Sequence, residues 1–126
     1  MADSKTLLKL LSDGAYDARL REVYMSDGAV AEQKERQEKI ISSFVELFGD
    51  CEGIELFSAP GRTEVGGNHT DHNHGKVLAA GVNLDTVAAA AKRDDNIAVE
   101  KTIGHGKIEI DISDLSVHED EYGKSA

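Results

Sequence analysis

Residues 59–75, APGRTEVGGNHTDHNHG, are the part of the chain richest in side chains that bind ligands. The stretch holds four glycines, three histidines, one arginine and two carboxylates between two apolar segments. This composition fits three kinds of site: a metal centre, a phosphate-binding loop, or a pocket for a compound covered in hydroxyl groups. An exposed connection rich in turn-forming residues is the simplest alternative to all three.

The metal hypothesis depends on three histidines and one aspartate, all good ligands for zinc or copper. These four residues are His69, Asp71, His72 and His74. Structural zinc sites usually take ligands from two separated segments, whereas the other histidines, His105 and His118, fall in an expected hairpin turn and in the tail. We therefore expect no functional metal, and a histidine-based metal-binding protein stays as an alternative.

The phosphate hypothesis depends on the spacing Gly61-x-x-x-x-Gly66, which is that of a Walker loop. Gly67-Asn68 stands where Lys and Ser or Thr must follow, and the glycines do not have the spacing of a dinucleotide-binding motif. A hydroxyl-rich ligand fits better, because Asn68, His69 and Asp71 supply short donors and acceptors while the glycines let the backbone come close.

The charge of the chain excludes several partners. Its 126 residues include 14 Lys and Arg against 24 Asp and Glu, a net charge of -10, which repels phosphate backbones and anionic lipid. We expect no nucleic-acid partner and no membrane partner. A single cysteine, Cys51, allows no internal disulfide, and the N-terminus lacks the pattern of a signal peptide, so a cytoplasmic location is expected.

The hydrophobic periodicity predicts an α+β protein, with helices in residues 1–50 and strands in residues 51–115. The first helix is expected over residues 4–11 with Ser4 as its N-cap, the second from Tyr16 to near Gly28, and the third over 29–48 with Gly49 as its C-cap. The third helix carries an apolar stripe of Ile40, Ile41, Phe44, Val45 and Phe48.

The period then changes to that of strands. Residues 54–58 form a strand that leads into the loop 59–75, and strands at 97–102 and 107–112 flank a hairpin turn at 104–106. Residues 94–96 are expected to form a turn, and 116–126 a polar tail. Residues 84–91 are so rich in alanine that propensity alone predicts a helix.

One family has this arrangement of residues. Ala59-Pro60-Gly61-Arg62, then Gly66-x-x-His69-Thr70-Asp71-x-Asn73-x-Gly75 and Val77-Leu78, resembles the N-terminal signature of galactokinases in the GHMP sugar-kinase superfamily. The resemblance implies part of a GHMP-kinase N-terminal domain, with a mixed, largely antiparallel sheet in which residues 84–91 form a strand. It also implies that Arg62 lies near the anomeric hydroxyl and the transferred phosphoryl group, and that His69 and Asp71 bind sugar hydroxyls.

Three positions depart from the family pattern. Asn68 replaces a glutamate that contacts the sugar, His72 replaces a tyrosine, and Glu64 replaces an asparagine, which places a carboxylate near Arg62. Asn68 keeps a hydroxyl contact without the charge, so the sugar is galactose or a close relative. Glu64, Gly67 and His72 are expected to support the substrate loop.

The superfamily's ATP loop, of the type Pro-x-x-x-Gly-Leu-Ser-Ser-Ser-Ala, does not occur in these 126 residues, whose one proline is Pro60. The resemblance thus implies the N-terminal part of a galactokinase-like sugar 1-kinase that is inactive alone. Its partners would be galactose and the rest of the kinase, and ATP and Mg²⁺ would be cofactors of the intact enzyme, with none expected for this part. A non-catalytic galactose-binding or regulatory module is the alternative from another class.

Overall fold

A computed structural model describes residues 2–67 and 71–116 of the chain, and for Asp71 it describes the backbone alone. The chain consists of two compact units, Met1–Ala91 and Lys92–Ala126. Helices come first and antiparallel strands follow, which confirms the predicted α+β class. None of the described helices is both long enough and apolar enough to cross a membrane.

The first unit begins with the three predicted helices: α1 at Ser4–Ser12, α2 at Asp17–Tyr24 and α3 at Ala29–Phe48. The predicted cap of α1 is wrong by one residue, because the Asp3 carboxylate accepts the Thr6 N–H at 2.8 Å. Helix α2 ends earlier than predicted, at Met25 in the left-handed region (φ 53°), and Gly28 is the N-cap of α3. Gly49 ends α3 as predicted, with φ 84°.

The helices enclose a small apolar core with the start of the first strand. Leu7, Leu11, Ile41 and Ile54 are buried together, and Leu11 and Ile41 are 0% exposed. Of the apolar stripe predicted on α3, only Ile41 is fully buried, whereas Phe48 is 40% exposed. The core therefore fixes the position of α3 and of the beginning of the strand that follows it.

Strand β1, Glu55–Gly66, pairs antiparallel with β2, Leu78–Ala90. Residues 59–66 thus belong to β1 and not to a loop as predicted, because Pro60 is accommodated next to a bulge of the ladder. The strand implied by the resemblance over residues 84–91 is confirmed up to Ala90, and the helix favoured by propensity is wrong. Pairing of Ala89 with Leu56, and the packing of both against the helical core, outweighs the helix propensity of alanine.

The second unit contains a β-hairpin of β3, Ile97–Lys101, and β4, Lys107–Asp111. Gly104 has φ 85° at the third position of the turn 102–105, where a positive φ suits glycine, and residues 94–96, predicted as a turn, form a bend. The Asp95 side chain accepts hydrogen bonds from Arg93 and from the Ile97 N–H. The polar tail predicted for 116–126 lies outside the described residues from 117 onward.

Candidate functional site

The ladder that carries Arg62 is a short segment bounded by two irregularities. Its three pairs are Arg62 with Gly81, Thr63 with Ala80, and Glu64 with Ala79. We name residues 62–64 and 79–81 the distal ladder. Bulges occur preferentially beside active sites, where they change the direction of side chains, so the position of this segment agrees with a functional role.

On the side nearer the helices, the next pair is Pro60 with Asp85. Gly61 alone therefore faces residues 82–84, which have no partner in the ladder. A Cβ at Gly61 would lie 3.2 Å from the Leu84 carbonyl oxygen and 3.3 Å from Val82, so the bulged segment lies close over this glycine. On the other side, Val65 is the extra residue before Gly66 pairs with Leu78.

Arg62 and Glu64 lie on one face of the distal ladder, because side chains two positions apart in a strand point the same way. Their cross-strand neighbours are Gly81 and Ala79, which are small, and all four residues are exposed. Within the described part of the chain no ion pair joins Arg62 to Glu64. The guanidinium group thus lies exposed on a face where no large side chain stands opposite.

The two glycines that end β1 have different roles. Gly67 has φ 84°, and a Cβ there would lie 2.1 Å from the Lys76 carbonyl oxygen and 2.9 Å from the Val77 Cα. Gly66 is not in the left-handed region, and nothing lies within 4 Å of its Cβ position. Gly67 therefore closes the base of the loop by direct contact of its backbone with residues 76–77, and any side chain at this position would obstruct that contact.

The loop between β1 and β2 contains the other predicted ligands. Asn68 and His69 lie outside the described residues, and Asp71 begins a 3₁₀ turn, Asp71–Asn73. In that turn the Nε2 of His72 lies 3.1 Å from the Asn73 side-chain nitrogen, and His74 has a left-handed backbone, φ 59°. The roles predicted for these residues stay predictions.

The metal hypothesis gains no geometric support in residues 2–67 and 71–116, where no three His, Cys, Asp or Glu side chains come together to hold an ion. Two of the four predicted ligands are not covered by this finding, because His69 is not described and Asp71 is described by its backbone alone.

Sequence reasoning missed a polar cluster around Asp85 on β2, whose side chain is 4% exposed. Tyr24 of α2 donates its hydroxyl to the carboxylate at 2.6 Å, and Ser58 of β1 donates at 2.5 Å. Arg36 of α3 donates to the carboxylate at 2.5 Å and to the Asp85 main-chain carbonyl at 2.7 Å. We name these four residues the Asp85 cluster; it ties two helices to both strands.

The cluster keeps the buried carboxylate ionised. Burial by itself raises the pKa of Asp85, but the hydrogen bonds from Ser58, Tyr24 and Arg36 together exceed that effect and lower the pKa below its ordinary value. Burial and the neighbouring Asp85 raise the pKa of Tyr24, so its hydroxyl keeps the proton that it donates. The one available signal was that Asp85 is the single charged residue of β2, but its partners are 27 to 61 residues away.

An open cleft of about 880 Å³ lies between the helices and the start of the β1–β2 ribbon. Leu7, Leu11 and Leu20 contribute to its apolar wall, and Asp85 lies at its polar edge. Among the described residues, neither Arg62 nor residues 72–77 line this cleft.

Known proteins resemble this part of the sequence. The galactokinase galactose-binding signature matches residues 42–92, which extend from the second half of α3 through β1 and the loop to the end of β2. No solved structure gives a significant match. The matched segment therefore includes the distal ladder, the loop and Asp85.

Three curated relatives are galactokinases. The chain is 37% identical over 79 residues to that of Lactococcus lactis subsp. cremoris, an alignment covering 60% of this chain and 20% of the relative. It is 39% identical over 61 residues to that of Bacillus subtilis, an alignment covering 48% of this chain and 16% of the relative. It is 44% identical over 59 residues to that of Enterococcus faecalis, covering 47% of this chain and 15% of the relative. The chain spans about a fifth of the length of these relatives or less. The matched portion of this chain is similar to the corresponding part of these galactokinases.

Proposed function

We propose that this chain is the N-terminal part of a galactokinase-like sugar 1-kinase and that it holds the sugar during ATP-dependent phosphorylation of the anomeric hydroxyl. The observation that carries the proposal is the match of the galactose-binding signature to the segment containing the distal ladder and the loop closed by Gly67. The rest of the polypeptide would bind ATP and Mg²⁺, since the superfamily's ATP loop does not occur in these 126 residues.

In the intact enzyme, the anomeric oxygen attacks the γ-phosphorus of ATP in line, the bond to the ADP oxygen breaks, and the hydroxyl proton leaves to a base supplied by the rest of the enzyme. Arg62 stabilises the negative charge that develops on the attacking and transferred oxygens. Its exposed position opposite Gly81 leaves room for a sugar ring over this face.

Asn68, His69 and Asp71 are the proposed sugar ligands. A carboxylate accepts hydrogen bonds from two hydroxyl groups in a fixed geometry, which distinguishes epimers better than an apolar contact does. The support for this assignment is that all three residues belong to the loop whose base Gly67 closes, directly after the strand that carries Arg62. Galactose is the first candidate sugar because the matched signature is a galactose-binding one.

We also propose a cytoplasmic location, which the single cysteine supports because one cysteine can form no internal disulfide. The second candidate is a non-catalytic galactose-binding module, which the match of the galactose-binding signature also fits. Release of ADP by the purified chain in the presence of ATP and galactose would exclude that candidate, and would also contradict the proposal that the chain is inactive alone.

The experiment that tests sugar binding is an amide NMR titration of the chain with galactose, with glycerol as the control polyol. We expect galactose to shift the signals of the distal ladder and of the loop, and glycerol to leave them in place. A well-dispersed spectrum that millimolar galactose does not change would contradict the proposal.

Replacing Arg62 by Ala should weaken galactose binding by about tenfold or more, because a hydrogen bond to a charged group contributes about 1.5–3 kcal/mol. The matched control is Arg93→Ala, which removes an arginine of the second unit that pairs with Asp95. Equal galactose affinities of the two variants would remove Arg62 from the sugar site.

A further inference from the structure

The Asp85 cluster lies directly beside the bulge that precedes the distal ladder. Pro60 with Asp85 is the last pair on the helix side of the bulge, and Arg62 with Gly81 is the first pair beyond it. We propose that Asp85, held by Arg36, Tyr24 and Ser58, is a positioning residue that sets the direction of the distal ladder and thereby the position of Arg62. The expected effect on sugar binding rests on the proposed function, whereas the effect on the direction of the ladder does not.

The cluster can fix a direction because it constrains the backbone as well as the carboxylate. Arg36 spans both, with one nitrogen on the carboxylate and the other on the Asp85 main-chain carbonyl, and such a two-point contact restrains rotation as well as distance. Tyr24 and Ser58 hold the second carboxylate oxygen from two other elements, α2 and β1. Asp85 is therefore held from three elements at the point where the regular ladder stops.

The distal ladder has little else to hold it. Residues 61–66 and 78–81 are all exposed, so this part of the ribbon buries no apolar side chain that would fix its direction. The core of Leu7, Leu11 and Ile41 lies among the helices and the start of β1, and it packs against Leu56 and Ala89. What joins that rigid part to the distal ladder is the bulge, where Gly61 lies close to the Leu84 carbonyl oxygen.

A role limited to stability and a positioning role predict different results. If the cluster only stabilises the fold, any substitution of equal cost should affect the distal ladder equally. If the cluster sets a direction, its loss should reorient the ladder while the helices keep their arrangement. A misplacement of a binding group by about 1 Å is enough to lower an activity by about a hundredfold, so the change is measurable in sugar affinity.

The test compares Asp85→Asn with Ile41→Val in the full 126-residue chain. Asp85→Asn keeps the size of the side chain and removes its charge, whereas Ile41→Val destabilises the helical core without touching the cluster. Residual dipolar couplings of the amides give the orientation of the distal ladder relative to α3, and NMR titration gives the Kd for galactose.

We expect Asp85→Asn to change the couplings of residues 62–64 and 79–81 and to raise the Kd for galactose about tenfold. The couplings of α1 and α3 should still fit one common orientation of the two helices. Ile41→Val should lower the melting temperature and leave both measurements near those of the parent chain. Unchanged couplings in Asp85→Asn overturn the inference, and so does an unchanged Kd in a reoriented ladder.

The two proposals fail differently. If the parent chain binds no galactose but the ladder reorients in Asp85→Asn, the result contradicts the proposed function and supports the geometric role of the cluster. If Asp85→Asn does not fold, Ser58→Ala is measured instead, since it removes a single donor from an exposed position on β1. We expect the same couplings to change by a smaller amount, and no change would overturn the inference.

Discussion

The adjacent glycines Gly66 and Gly67 offer a sharp test of how the loop is closed. In Gly67→Ala the new residue must adopt φ 84°, which costs an L-residue about 1–2 kcal/mol. Its Cβ would also lie 2.1 Å from the Lys76 carbonyl oxygen and 2.9 Å from the Val77 Cα. Both are backbone atoms, so the overlap is relieved only when the base of the loop opens.

The loss in the free energy of unfolding has an upper limit. Because residues 61–66 and 78–81 are exposed, the loop and the distal ladder can open locally without unfolding the helical core. The loss cannot exceed the free energy of that local opening, and we therefore expect about 2 kcal/mol for Gly67→Ala.

The matched control is Gly66→Ala. No heavy atom lies within 4 Å of this Cβ position and the backbone is not left-handed. Alanine there reduces the conformational freedom of the unfolded chain, and we expect a gain of about 0–1 kcal/mol. Two substitutions of the same kind at neighbouring positions should thus differ by about 2–3 kcal/mol.

Urea denaturation followed by circular dichroism gives the free energies of unfolding, and amide NMR spectra with and without galactose show the state of the loop. We expect Gly67→Ala to lose the galactose-induced shifts and Gly66→Ala to keep them. If the two variants have the same stability and the same sugar response, the close contact between Gly67 and residues 76–77 does not exist in solution.

Three further predictions test the core and the cluster. The pKa of Asp85 is lowered in the folded state, so the contribution of its carboxylate to stability is complete above the unfolded pKa of 3.8 and is lost as the pH falls through the folded pKa. When the pH is lowered below about 4, the urea midpoint should therefore fall less in Asp85→Asn than in the parent chain. Ile41→Ala should lower the free energy of unfolding by about 2–5 kcal/mol, measured by calorimetry or urea denaturation. The control Leu47→Ala, on the same helix but 51% exposed, should lower it by less than about 1 kcal/mol, and equal losses would contradict the described core. Arg36→Lys keeps the charge, but one lysine cannot bind both the carboxylate and the main-chain carbonyl of Asp85. We expect the free energy of unfolding to fall by about 1–2 kcal/mol in the same assay, and an unchanged value would contradict the two-point contact.

The elements of this fold differ in how far local sequence predicts them. The three helices follow from apolar spacing and from glycines near their ends, which act over one or two turns. Residues 85–90 show the limit of such reasoning, because alanine favours a helix and the observed strand depends on pairing with residues 55–60. Only the resemblance to a family, carried by residues 59–78, predicted that strand.

The sequence by itself determined the residue types of the loop, the net negative charge, and the family signature, since these depend on neighbouring residues or on composition. Tertiary structure decided where the strand gives way to the loop, and it decided that Gly67 and not Gly66 needs to be glycine. It also brought Tyr24, Arg36 and Ser58 to Asp85. Contacts over 27 to 61 residues arise only when helices and strands pack, and local patterns of sequence hold no record of them.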